Sequence, residues 1–162
     1  MISFERVGRQ SDAVLRNLYQ LYIHDMSEWL GIEIASDGRF VFDTAALWED
    51  DVAVHLARFG GALAGFAVVQ SAGPWLGRKK ARDVKDLFVL RHHRRHGVGR
   101  ALARHLFETT ATEWLVRVVA ANAPAVPFWR GVIRELRGDR YEESTASSGG
   151  RDWLRLRFDG AR

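Results

Sequence analysis

One stretch constrains this chain more than any other: Asp83 to Leu106, DVKDLFVLRHHRRHGVGRALARHL. Leu87 to Leu90 is a short apolar run that reads as a strand. A basic loop holding Gly97 and Gly99 follows at once, and Val98, Leu102, Ala103 and Leu106 then recur at helical spacing. A strand feeds a glycine-bearing loop, and the loop opens a helix. The first turn of a helix carries N–H groups without intrahelical partners, at the positive end of its dipole. Glycines let an anion come close to that main chain. Arg94, Arg95 and Arg100 add fixed charge, and His92, His93 and His96 add more when protonated. The stretch reads as a pyrophosphate cradle; the alternative is a solvated basic loop that only joins strand to helix.

Two familiar phosphate loops do not fit. The dinucleotide fingerprint needs a third glycine where this chain has Leu102, and the P-loop needs a Gly-Lys-Ser/Thr run that is absent. What remains is Arg94-x-x-Gly97-x-Gly99 directly after a strand. It resembles the coenzyme A loop of the GNAT superfamily of N-acetyltransferases, Gln/Arg-x-x-Gly-x-Gly/Ala. A second match lies downstream. The β-rich run Trp114 to Ala120 is followed by Asn122, Ala125, Phe128 and Trp129. This is similar to the family's strand followed by Asn-x-x-Ala-x-x-Phe-Tyr at a helix start. The resemblance covers Phe59 to Trp129 well and the flanks by layout.

The resemblance implies a single GNAT-like domain over residues 1–162. Its fold would be mixed α/β: a largely antiparallel central sheet flanked by helices, with a splayed strand pair holding CoA. Acetyl-CoA would be the cofactor and an amine of a small molecule or peptide the acceptor. By position, Leu87, Phe88 and Val89 would offer main-chain groups to the pantetheine. Arg94, Arg95, His96, Gly97, Val98, Gly99 and Arg100 would form the phosphate loop, and Asn122, Phe128 and Trp129 would complete the cofactor site. Relatives often dimerise, so a homodimer is a possible assembly.

Composition narrows the alternatives. The chain has no cysteine, which excludes a disulfide framework, a thiolate metal site and a thiol nucleophile, and no metal is expected. With 47% hydrophobic and 27% charged residues it is an ordinary globular composition. No apolar run approaches the roughly 20 residues that cross a bilayer. The N-terminus, MISFERVGRQSD, lacks the apolar core of a signal peptide, so a cytoplasmic location is expected. A net charge of +4 favours anionic ligands. The charge is concentrated at Arg78, Lys79, Lys80 and Arg82 and again at Arg91, Arg94, Arg95 and Arg100. These clusters lack the exposed aromatics that nucleic-acid binders interleave with charge. Nucleic acid is therefore not the expected partner, and neither is a membrane.

The remaining elements follow in order. Ser3 to Val7 reads as a strand, and Ser11 or Asp12 as the cap of a helix running to about Ser27. Residues 31–46 read as a loop with a short helix starting near Asp43 or Thr44. Val52 to Phe59 and Ala62 to Gln70 are strands around a Gly60-Gly61 hairpin turn. His55 in the first of them reads as structural. Ser71 to Arg82 is a surface connection. Pro124 opens a last helix that stops at Gly138. Tyr141 to Thr145 and Trp153 to Phe158 are final strands, joined by a turn of Ser147, Ser148, Gly149 and Gly150.

The chemistry needs a base for the amine, a donor for the developing oxyanion and an acid for the thiolate. Asp86, beside the expected thioester, is the candidate catalytic base; its alternative is an ion pair with Lys85, Arg82 or Arg117. Tyr22, Asp25 and Glu28 fall on the first helix, and Asp25 and Glu28 are spaced to share a face and hold an acceptor amine. The alternative there is an amphipathic helix with solvated acids. The chain departs from the family pattern twice. Trp129 stands where a tyrosine commonly serves as acid, and an indole N–H is no practical acid. Arg117 stands where some relatives carry a glutamate base; it would hold an acidic acceptor or sit on the sheet's outer face. Tyr141 and Tyr22 are the candidates to replace the acid. A non-catalytic acyl-CoA sensor is the reading from another class.

Overall fold

The computed structural model describes residues 1–78, 80–110 and 112–160. Seven strands form one sheet in the order β1-β2-β3-β4-β5-β7-β6. The strands are β1 (Ile2–Val7), β2 (Ala53–Phe59), β3 (Ala62–Ser71), β4 (Arg82–Val89), β5 (Glu113–Val119), β6 (Glu142–Ser148) and β7 (Arg151–Asp159). All neighbours are antiparallel except β4 and β5, which run parallel. The helices are α1 (Asp12–Leu30), a helical turn α2 (Gly73–Leu76), α3 (Val98–Thr109) and α4 (Ala125–Arg137). The mixed, largely antiparallel sheet flanked by helices is the architecture expected.

Alternation along the strands gives the sheet two apolar faces. On one face, Ala67, Val84, Val116 and Leu156 pack under Leu102, Leu106 and Phe107 of α3 and Val132 and Ile133 of α4. On the other, Val54, Leu56, Phe66, Val68 and Phe88 pack under Leu15, Leu18, Tyr19 and Ile23 of α1. Burying both faces leaves the strand ends and the loops after them to carry chemistry.

Several local expectations are corrected. Helix α1 runs on to Leu30, where Gly31 at φ +60° takes the left-handed conformation that ends it. Its N-cap residue Ser11 makes no side-chain capping bond, and Asp12 accepts from Trp48 Nε1 (2.7 Å) and Arg16 (2.8 Å) instead. The short helix expected near Asp43 is a 3-10 turn, Ala45–Trp48. The connection after β3 carries α2, with a small apolar anchor of Ala72, Ala81 and Leu115 beneath it. Of the basic run there, Lys79 lies outside the described residues. The last hairpin is tighter than expected: Ser147 and Ser148 pair with Asp152 and Arg151, leaving Gly149 and Gly150 as the turn.

Candidate functional site

The site is made by an interruption in the sheet. Strands β4 and β5 pair only at Arg82↔Trp114, Asp83↔Leu115 and Val84↔Val116. Beyond Val84, β4 stays with β3 and β5 stays with β7, so a wedge opens between Lys85–Val89 and 117–119. At its vertex β4 bulges: Val84 faces Val69 and Asp86 faces Val68, which leaves Lys85 as the extra residue. The bulge resets the alternation. Val84 belongs to the α3 side, while Asp83 and Asp86, on either side of the bulge, both lie on the α1 side.

Asp83 and Arg117 tie the two strands together at that vertex. Asp83 is fully buried and accepts from Arg117 Nε (3.0 Å), Arg117 Nη2 (2.8 Å) and Gln70 Nε2 (2.9 Å). The Arg117 guanidinium also lies 3.7 Å from the ring centroid of Trp75, on α2. Arg155, the cross-strand partner of Arg117, donates to the Trp75 carbonyl. This corrects the expectation for Arg117. Two of its donors go to Asp83 and its guanidinium stacks on Trp75, so its first partner is a buried acid of this chain, and it lies between strand and helix rather than on an outer face.

Asp86 is placed differently from the ion pair weighed above. Tyr19 Oη donates to Asp86 Oδ2 at 2.6 Å. Arg117 is committed to Asp83, and Arg82 donates to the Asp51 carbonyl. Burial pushes the Asp86 carboxyl above its ordinary value, only partly offset by hydrogen bonds from Tyr19 and Tyr22. Burial likewise pushes both tyrosine hydroxyls far up, so at neutral pH they remain donors. Tyr22 is thus bound to the Asp86 cluster and packed edge-on to Phe66 and Phe88. Tyr141 packs against the core on the α3 side and is not part of the cluster.

The loop after β4 holds a turn and a helix start. Gly97, at φ +79°, is the N-cap residue of α3, and no side chain caps that turn. A Cβ at Gly97 would meet nothing within 4 Å, so the main chain is open on that side. Gly99 does different work: a Cβ there would lie 3.4 Å from Val89 and 3.5 Å from Phe128, so it lets α3 pack closely against β4 and α4. Amides without a side-chain cap at the start of a 12-residue helix suit a phosphate group. Arg95 is the one described non-glycine residue at positive φ (67°), and it has no ion-pair partner among the described residues.

The other two loop arginines are paired within the chain. Arg100 pairs with Glu135 of α4. Arg94 donates from Nε to the Val89 carbonyl (2.8 Å), pairs with Asp25, and lies over the Phe88 ring on the α1 side. His96 donates from Nδ1 to the Arg94 carbonyl (2.9 Å), and His93 and His96 pack on Phe59. Asp25 accepts from Arg91 as well (3.0 Å), whereas Glu28 is solvent-exposed and shares no partner with it. The expected Asp25–Glu28 amine clamp is therefore not assembled.

Across the wedge, Asn122 Oδ1 accepts from the Ala125 N–H (3.2 Å), closing the turn into α4. Its amide nitrogen faces Met26 Sδ at 4.0 Å. Trp129 is 7% exposed, with its indole packed against Phe107 and Phe128. On the α1 side, an open cleft of about 780 Å³ reaches the vertex, lined by Glu49, Asp51, Gln70, Ser71, Trp75 and Lys85.

Sequence reasoning did not foresee the Tyr19–Asp86 bond, the Asp83–Arg117 pair or the place of Trp75. One signal was present: Arg82, Asp83, Lys85 and Asp86 put four charges into a strand whose other residues are apolar, and such charges are retained when paired or used.

The chain belongs to the acetyltransferase (GNAT) family, whose family model matches residues 15–132. Acetyl-CoA is the acyl donor of that family, and this chain is an acetyltransferase by fold and family. No curated protein matches it by sequence. Solved structures share the fold. The Escherichia coli ribosomal-protein-S18-alanine N-acetyltransferase superposes with a TM-score of 0.65 at 17% identity, covering 100% of this chain and 96% of that one. An aminoglycoside acetyltransferase solved with coenzyme A and kanamycin gives 0.69 at 14% identity, covering 98% and 95%. An IAA acetyltransferase from Bacillus cereus gives 0.59 at 15% identity, covering 98% and 99%. No helix among the described residues is long and apolar enough to cross a membrane.

Proposed function

We propose that this chain transfers the acetyl group of acetyl-CoA to an amine of a small molecule or peptide by direct attack, with Asp86 as the base. The observation that carries this is the position of Asp86, one residue past the bulge where the wedge opens, hydrogen-bonded to Tyr19. Acetyl-CoA, when bound, supplies the thioester carbonyl. The open amides at Gly97 and the first turn of α3 hold its phosphates, with Arg95 as the uncompensated cation.

Asp86 takes the proton of the attacking amine as its nitrogen bonds to the acetyl carbon; the carbon–sulfur bond breaks, CoA leaves as its thiolate, and solvent supplies the proton that Trp129 cannot. A carboxylate whose proton affinity is raised by burial is a better base than a solvated one. Tyr19 and Tyr22 fix its orientation. The N–H groups of β4 on the wedge side have no partner on β5 beyond Val84 and are the available donors for charge developing on oxygen. The acceptor enters by the cleft, from the Glu49–Trp75 side. Holding amine and donor together supplies much of the acceleration.

The non-catalytic sensor rests on one observation: a buried indole, Trp129, sits where the family carries a tyrosine hydroxyl. One experiment separates the two. Acetyl-CoA consumption is followed across an amine panel for wild type and Asp86→Asn, beside calorimetric titration with CoA. The expected result is turnover by wild type and a loss of about 100-fold or more in Asp86→Asn, with CoA affinity unchanged. The wild-type rate should rise with pH through a value above the ordinary carboxylate range. Equal rates in both proteins refute the base. Tight CoA binding with no turnover on any amine establishes the sensor.

A further inference from the structure

Tyr19, Tyr22 and Asp25 are spaced three apart and lie along one stripe of α1. The two tyrosines hold Asp86, and Asp25 holds the loop after β4 through Arg91 and Arg94. Met26, next in sequence, faces Asn122 on the far side of the wedge. One helix thus touches the base, the cofactor loop and the turn after β5.

The Asp25 contact has an unusual distribution of burial. The carboxylate is 15% exposed, while Arg91 and Arg94 are 75% and 42% exposed. Two surface guanidiniums have been drawn over a mostly buried acid. Burial raises the Asp25 carboxyl, and the two arginines outweigh it and hold the group ionised. Arg94 is pinned at two further points, by the Val89 carbonyl and the Phe88 ring. It therefore lies on the α1 side of the sheet, while α3, whose first turn would meet the phosphates, packs on the other face. In this position its charge is committed to Asp25 and its Nε to the Val89 carbonyl. What it fixes is the path of the chain from Val89 to Gly97, including the left-handed Arg95 and Gly97 that present the amides.

We infer that Asp25 is a positioning residue for the cofactor loop: through Arg91 and Arg94 it holds the amides at Gly97 in the conformation that receives the phosphates, and fastens that loop to the helix that orients Asp86. The inference rests on the cofactor-loop reading above. It runs against simple electrostatics, because Asp25 is an anion near an anion-binding loop. Removing it should strengthen CoA binding if charge alone mattered, and weaken it if position matters.

The test is calorimetric titration of the full chain with CoA at one ionic strength, for wild type, Asp25→Asn, Arg94→Gln and the double variant, with a melting temperature for each. Each single change is expected to weaken CoA binding about tenfold, and the double variant no more than either alone, as coupled residues require. A purely structural contact would lower the melting temperature and leave affinity alone. Unchanged or tighter binding in Asp25→Asn overturns the inference, as do additive losses in the double variant. No binding by folded wild type overturns the cofactor reading itself, and shows before any variant is compared.

Discussion

Replacing Arg117 with methionine removes the guanidinium, the part stacked on Trp75, and keeps most of the apolar stem. Asp83 would then be a fully buried carboxylate with Gln70 as its remaining donor. Two charges at the 2.8 Å separation seen here attract by about 6 kcal/mol at an effective dielectric of 20. Part of this is recovered, because Arg117 no longer needs to be desolvated and its side chain was 20% exposed. Breaking a buried pair costs about 3–5 kcal/mol, and the surviving Gln70 bond places this case near the lower end. For a chain of this length, a loss of about 3 kcal/mol lowers the melting temperature by roughly 6–12 °C. Asp83→Asn should cost less, since the arginine left behind is partly solvated and still stacked on Trp75. Combining the two changes should recover much of the loss seen in Arg117→Met alone. Thermal denaturation followed by circular dichroism measures all three. A melting temperature for Arg117→Met within about 2 °C of wild type, or equal losses in the two single variants, refutes the argument that an uncompensated Asp83 charge sets the cost.

Gly97→Glu should abolish CoA binding in calorimetry, because a carboxylate would stand among the open amides; Gly97→Ala, with the same positive-φ strain, separates that effect from folding. Gly65→Ala should be among the most damaging single changes, at about 3 kcal/mol or more, because its Cβ would fall 2.1 Å from the Phe88 carbonyl oxygen; a soluble variant with wild-type melting would show that β3 and β4 separate easily. His55 is held neutral, with its proton affinity lowered to about 4 by burial first and then by His105 and Arg6. The unfolded chain therefore binds the extra proton, and stability should fall as pH drops from the ordinary histidine value of 6.5 toward 4. His55→Phe should flatten that part of a melting-temperature profile, and an unchanged slope would clear His55 of the effect.

Much of the frame was legible because its signals are local. Gly60-Gly61, the run from Leu87 through Gly97 into Val98, and Gly138 each declare a turn or a helix end within a few residues. Two motifs in order, each at a strand-to-helix junction, carried the family. What was not legible depends on pairs distant in sequence. Asp25 meets residues 66 and 69 positions away, Arg117 meets Asp83 at 34, and Tyr19 meets Asp86 at 67. The bulge at Lys85 follows from register with β3, which no window of sequence contains. Nothing local to Trp75 marks it as the platform on which Arg117, 42 positions away, stacks. Asp25 and Glu28 were correctly placed on one helix, but spacing alone could not tell that arginines from another loop would claim one of them.

The three-rung junction between β4 and β5 also bears on how the chain folds. Strands β1 to β4 form one half of the sheet and β5 to β7 the other; β2-β3-β4 and β6-β7 close over short stretches of chain, whereas β1 meets β2 only after the excursion through α1. Joining the two halves requires the crossover through α3 and gains only three residue pairs. Contacts of that kind are late and slow to form. The halves should therefore zip separately and dock last, with the wedge left at the seam. The same seam is where the native protein should open first. Protection against amide exchange is expected to be lowest along the unpaired edges of 85–89 and 117–119, and to rise there when CoA fills the wedge.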